Sequence, residues 1–233
     1  MMSQTIALIG AMPPEIELLK ENLQNLRNEH VADFEIYCGE YAGKNVVLAL
    51  SGIGKVNAAL STALVLQRHQ PDFVINTGSA GGLGGELKVG DVVIGTQTAH
   101  HDVDVTAFGY AVGHVPRMPA RFESDPTLCA AAEQAATAFD HAAVHRGLIV
   151  SGDQFVHSNE SVAEVRRHFI DVQAVEMEAA AIAQSCHRFG VPFVVIRAIS
   201  DLADEEADTS FETFLKTASV HSAKMVLQLI AAL

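Results

Sequence analysis

VVIRAISDLAD, residues 194–204, carries five apolar residues around one arginine and then turns polar at Ser200 and Asp201. A run this apolar, rich in β-branched residues, reads as a strand covered on both faces, and the polar tail marks its carboxyl end. Three other stretches repeat the arrangement: IALIGAMPPE (6–15), VINTGSAGG (74–82) and AVEMEAAAIA (174–183). Each ends an apolar run in glycine, glutamate or aspartate. In open α/β sheets ligands bind outside the carboxyl ends of the strands. Glu15, Glu178 and Asp201 at such ends, with few cations near them, point to acid–base work on a small molecule.

The elements between these stretches alternate. A strand over 5–9 leads to a helix that Pro13 and Pro14 start, since an N-terminal proline loses no hydrogen bond there; Ile16, Leu19, Leu23 and Leu26 carry it to about Leu26. Phe34, Ile36 and Cys38 alternate with polar residues, and GEYAGKN turns the chain into a strand over Val46–Leu50. A helix follows SGIGK with Val56, Ala59, Leu60, Ala63 and Leu64 as its apolar face, up to Pro71. Strands are expected over 73–77 and 91–95, then strand and long loop over 98–122. A helix over 126–139, a strand over 144–150, a helix around Val162, Val165 and Phe169, and a strand over 172–176 follow. Glu178–Phe189 is a helix closed by Gly190, 193–199 the last central strand, and Phe211 to Ile230 one long helix. The pattern predicts a single α/β domain over 1–233: a central mixed, mostly parallel sheet flanked by helices.

Composition narrows the function. The 233 residues are 49% hydrophobic, enough for a sizeable core, and no apolar run nears the roughly 18 residues of a membrane span. The N-terminal apolar run belongs to a strand and lacks the basic start of an export signal. A net charge of −13 repels phosphate backbones and anionic membranes, so neither nucleic acid nor membrane is an expected partner. Cys38, Cys129 and Cys186 lack metal or redox spacing and are expected as free thiols in a cytoplasmic protein. GSAGGLGG (78–85) never gives the dinucleotide fingerprint, and SGIGK lacks the first glycine of a phosphate loop. His100, His101, Asp102 and Asp104 match no defined zinc spacing. No cofactor and no metal are expected.

GAMPPE, SGIGKVNAA, INTGSAGGL, DVTAFGY, GLIVSGDQF, VEMEAAAIA and VVIRAISDLAD occur in this order from residue 6 to about 211. Together they resemble the bacterial 5′-methylthioadenosine/S-adenosylhomocysteine nucleosidases of the purine and uridine phosphorylase superfamily. Pro13 and Pro14 depart from it, standing where the family has acidic residues just ahead of its glutamate.

The resemblance implies hydrolysis of an N-glycosidic bond, releasing adenine from a 5′-thio-substituted ribose. Asp201 would be the general acid toward adenine, with Ser200 orienting it, and Glu15 the base that activates water. Ser79 and Arg197 would complete the water site and steady the acid; Ala80 and Gly81 flank them. Glu178 would accept hydrogen bonds from the ribose diol, Met177 lie against the ribose, Phe155 stack on the base and the Val156 backbone read its edge. Met12, Ile53, Val105, Phe108, Tyr110, Pro116 and Phe211 would form an apolar pocket for the 5′-substituent. The 105–116 segment would reach the site of a second subunit in a homodimer. A phosphate-dependent phosphorylase and a non-catalytic nucleoside sensor are the competing readings; the first needs a cationic site for phosphate, the second no water-activating base.

Overall fold

A computed structural model of the chain describes residues 4–233 except 138, 141 and 205. Its strands are β1 (Thr5–Gly10), β2 (Gln24–Val31), β3 (Phe34–Tyr41), β4 (Lys44–Leu50), β5 (Phe73–Gly82), β6 (Val92–His100), β7 (Phe122–Glu123), β8 (Val144–Ser151), β9 (Val172–Glu176) and β10 (Phe193–Asp201). Its helices are α1 (Pro13–Asn22), α2 (Lys55–His69), α3 (Pro126–Ala136), α4 (Asn159–His168), α5 (Ala179–Phe189) and α6 (Ala207–Ala232).

The strands form one mixed sheet in the order β10-β6-β8-β9-β5-β1-β4-β3-β2, with β7 beside β6. β10 also pairs with β5, so β5, β10, β6, β8 and β9 close a ring from which β1, β4, β3 and β2 extend. β5 is the pivot. It runs parallel to β1 and β10, and its last two residues turn against β9. That register sets Arg197 opposite Gly78 and Asp201 opposite Gly81.

The period-2 alternation of β1 explains how both faces are covered. Ile6 and Leu8 pack with α1, α3 and α6 residues, while Ala7 and Ile9 pack with α2 and α5. Each fully buried Ile or Leu contributes about 1.5–3 kcal/mol over an exposed one. A third cluster, with Val150, Val162, Val165 and Phe169, seats α4.

Three local readings are corrected. Residues 24–31 are not the end of the first helix but strand β2, paired antiparallel with β3. β2 is an edge strand with both faces largely in solvent, so its sequence carries no alternation, and Leu23 and Leu26 mimic helical spacing by chance. The apolar face read on α2 is not its buried face. Ala58, Ser61, Thr62, Val65 and Leu66 pack inward, while Val56 and Leu60 stay 68% and 56% exposed. The glycine-rich segment after Thr77 continues as strand to Gly82 rather than opening a loop. The β3–β4 hairpin forms as read: Ala42 and Gly43 both take positive φ, the conformation a two-residue turn needs.

Candidate active site

The carboxyl ends of β1, β5, β9 and β10 meet around a cavity of about 180 Å³. Thirteen residues singled out in the sequence line it: Met12, Glu15, Ile53, Ser79, Ala80, Gly81, Phe155, Val156, Met177, Glu178, Ser200, Asp201 and Phe211. Gln154 joins them. Val105, Phe108, Tyr110 and Pro116 do not line this chain's own cavity, and Phe108 is 81% exposed.

Glu15 sits in the first turn of α1, and Pro13 and Pro14 occupy the positions before it without losing a hydrogen bond. Its Oε2 accepts the N–H groups of Ala11 and Met12 at 2.9 and 3.0 Å. Its Oε1 accepts both the N–H and the hydroxyl of Ser79 at 2.9 Å. Four donors thus fix a carboxylate that is 1% exposed. Such donors hold it at one orientation.

Asp201 ends β10 in a different setting. Ser200 Oγ donates to its Oδ2 at 2.8 Å and the Ala203 N–H to its Oδ1 at 2.9 Å. The carboxyl is 2% exposed. Burial raises its pKa above the ordinary carboxylate value; the two donors pull the other way, and Asp204 adds to the rise. Desolvation penalises the charged form, so this position favours a protonated acid.

Arg197 corrects one expectation. It does not touch Asp201. Its guanidinium, fully buried, pairs with Glu176, donates to Asn76 Oδ1 at 2.9 Å, and lies 3.7 Å from Glu178 Oε2. Residues four apart along a strand stand about 13 Å from each other, and the bulge after Ile199 turns Asp201 aside. Gly78 makes room: a Cβ there would fall 2.1 Å from Arg197 Nη1 and 2.7 Å from Glu15 Oε1.

Glu178 stands at the start of α5 and accepts the Gly54 N–H at 2.8 Å. Burial, then the nearby Glu176, push its pKa up to about 8, against the pull of Arg197. Two carboxylates share a single guanidinium here. Glu176 also accepts from Ser151 Oγ and from the N–H groups of Glu178 and Ala179, which caps α5. Ser151, Asn76 and Gly54 carry no sequence signal of their own beyond standing at strand ends or before a helix. SGIGK, useless as a phosphate loop, is here the loop that holds Glu178.

At the cavity mouth Phe155 and Phe211 meet edge to face, ring centroids 5.7 Å apart. With Met12, Ile53 and Met177 they give an apolar rim over an acidic floor. No lysine or arginine lines the cavity. Asp102, weighed as a metal ligand, is instead tied to the Lys55 ammonium and to the Asp153 N–H, while His100 Nε2 meets Gln184.

The phosphorylase superfamily profile matches residues 5–231. A 5′-methylthioadenosine/S-adenosylhomocysteine nucleosidase of Anoxybacillus flavithermus is 56% identical over 221 residues, 95% of each chain. The crystal structure of the Neisseria meningitidis enzyme of that name, in complex with methylthio-immucillin-A, is 64% identical; the match has a TM-score of 0.98 and covers 99% of this chain and 100% of that one. A futalosine hydrolase of Helicobacter pylori is 36% identical with a TM-score of 0.94, covering 99% of this chain and 98% of that one.

Proposed function

Since this chain belongs to the phosphorylase superfamily, and within it to the 5′-methylthioadenosine/S-adenosylhomocysteine nucleosidases, we propose that it hydrolyses the N-glycosidic bond of those two nucleosides to adenine and a 5′-substituted ribose. The observation that carries the mechanism is the joint presence of Glu15 and Asp201 in one cavity, one ringed by donors and one whose pKa burial raises. Cleavage puts positive charge on the sugar and negative charge on the departing base. Asp201 protonates the five-membered ring of adenine as the bond breaks, and Ser200 keeps its oxygen aimed. Glu15 takes a proton from water, with Ser79 fixing the carboxylate against rotation. This is the division of labour between acid and base that inverting glycosidases use.

Glu178 binds the ribose hydroxyls. Met177 lies against the sugar, Phe155 stacks on adenine and the Val156 backbone meets its edge. Met12, Ile53 and Phe211 receive the 5′-substituent, whose apolar thioether gains from leaving water.

Phosphorolysis is disfavoured by the same cavity. A phosphate dianion needs cations or free N–H donors. The lining offers Glu15, Glu176, Glu178 and Asp201, and the one guanidinium behind it is already engaged.

The protein acts as a homodimer in this reading. Val56, Leu60 and Phe189 leave apolar surface exposed on α2 and α5, and Phe108 projects from the 105–116 segment. A partner would cover the first patch, and Val105, Phe108, Tyr110 and Pro116 would close the partner's pocket. Residues 1–233 serve as one nucleosidase domain.

The test is incubation with each nucleoside in phosphate-free buffer, followed by chromatography for base and sugar. Equal amounts of adenine and free 5′-thioribose are expected, unchanged by added phosphate. Dependence on phosphate would return the phosphorylase reading, and binding without adenine release would return the sensor. Run with 5′-deoxyadenosine and an aminofutalosine-type nucleoside, the same assay ranks the substrates.

A further inference from the structure

Far from this cavity, three side chains from three elements converge: Glu29 of β2, Cys38 of β3 and His69, the last residue of α2. One ligand atom from each lies within 4.8 Å of the other two. Cys38 Sγ stands 3.6 Å from Glu29 Oε1, and His69 Nε2 stands 3.7 Å from Glu29 Oε2. Around a tetrahedral zinc ion with the usual bond lengths, ligand atoms are separated by about 3.2–3.6 Å. The two gaps to Glu29 sit near the upper end of that range, one on each carboxylate oxygen, and the third, between Cys38 and His69, lies within 4.8 Å, so side-chain rotation must draw the set together.

His69 Nε2 is buried and makes no hydrogen bond among the described residues. Buried polar atoms nearly always have partners, so a lone imidazole nitrogen aimed at a carboxylate and a thiol asks for one. The three atoms border a polar hollow of about 420 Å³ lined also by Thr5, Asn25, Arg27 and Glu40. Glu29 is 39% exposed, which gives solvent and ions a way in.

We propose that Glu29, Cys38 and His69 form a binding site for a zinc-type divalent cation, with water completing a four-coordinate shell. The donor set is one soft thiolate, one imidazole and one carboxylate, the mix that selects zinc or cobalt over magnesium or calcium. Its charge closes: thiolate and carboxylate carry two negative charges against two positive ones. On binding, the Cys38 S–H proton leaves to solvent and the sulfur lone pair forms the bond to the metal; no electron transfer occurs. Burial and Glu29 raise the Cys38 pKa to about 11, so the site without metal holds a thiol, and the metal must displace its proton. Arg68, 4.0 Å from Glu29 Oε2 and half exposed, is the competing cation and has room to swing out.

The site would clip an otherwise exposed edge hairpin to α2. Helix α2 spans its 15 residues, so His69 lies roughly 20 Å from Gly54, the residue that holds Glu178. Binding is therefore separable from turnover.

Co2+ titrated into the reduced full-length protein tests this by absorption. One equivalent is expected to give a near-ultraviolet thiolate charge-transfer band and the strong visible bands of four-coordinate cobalt. Cys38→Ser should abolish the near-ultraviolet band, and His69→Gln should weaken binding at least tenfold. Cys129→Ser should change neither, and all three variants should keep the wild-type rate of adenine release, which reports that they fold. Zn2+ at about a hundredfold over its Kd should raise Tm by roughly 5 °C or more in the wild type and not in Cys38→Ser. Weak, water-like cobalt bands at millimolar metal would overturn the assignment, as would bands that survive in Cys38→Ser.

Discussion

Asp201 and Glu176 end the two strands that flank the tip of β5, and both are nearly out of water; what separates them is a guanidinium. Arg197 lies against Glu176 and reaches toward Glu178, while Asp201 has two neutral donors and no cation. Burial alone raises a carboxyl pKa, and a paired cation cancels the rise. One strand, β10, thus carries both a buried cation beside Glu176 and, four residues on, an acid with no cation beside it. The lesson is that position relative to Arg197 separates the two settings: a carboxyl held by an ion pair, and one whose pKa burial raises with only neutral donors against it.

The sharpest way to break this contrast is to remove the proton donor. Asp201→Asn keeps shape and removes the acid, and kcat should fall by about 10²–10⁴-fold, the usual worth of one acid–base group. Glu15→Gln should lose a similar factor at the other end of the reaction. Both should fold, as circular dichroism would report; near-wild-type turnover in either removes that residue from the mechanism.

Removing the cation should act on the fold instead. Arg197→Ala leaves Glu176 buried without its partner, a loss of about 3–5 kcal/mol. Denaturant unfolding should show it, and Asp201→Asn should show no such loss.

Glu178→Gln sharpens the comparison at the sugar. Removing one partner of a buried hydrogen bond costs about 1–3 kcal/mol, so KM should rise roughly fivefold to a hundredfold, with kcat less affected. A change confined to kcat would mean that Glu178 does more than bind.

The smallest effect is in stability against pH. The folded-state pKa of Asp201 is raised, so its contribution is complete below the ordinary carboxylate range, near 4, and is lost as pH rises through the raised value. Glu178 acts in the same direction, up to about pH 8. The wild type should lose Tm from mildly acidic to mildly alkaline pH, and Asp201→Asn should lose less. Parallel curves would mean that burial of Asp201 costs the folded state nothing.

Much of this was legible in the chain because buried strands write unbroken apolar runs. β1, β5, β9 and β10 were visible for that reason, and the polar residues that end them marked the cavity. β2 was not, because an edge strand wet on both faces has no pattern to impose. The face of α2 was misread because its exposed side is the more apolar one, Val56 and Leu60 against inward Ser61 and Thr62. Ring closure through β5 and β10 depends on pairings between segments over a hundred residues apart, which no local pattern encodes. Arg197 was found, but its partner was not: a strand-end arginine has several acids within reach, and the bulge after Ile199 decides among them.

Infrared difference spectroscopy of the wild type against Asp201→Asn at neutral pH addresses the protonation of Asp201 directly. The account predicts that the variant loses the carbonyl stretch of a protonated carboxyl group. Loss of a carboxylate band instead, with no acid band affected, would mean that Asp201 is charged in the free protein and has no proton ready for adenine.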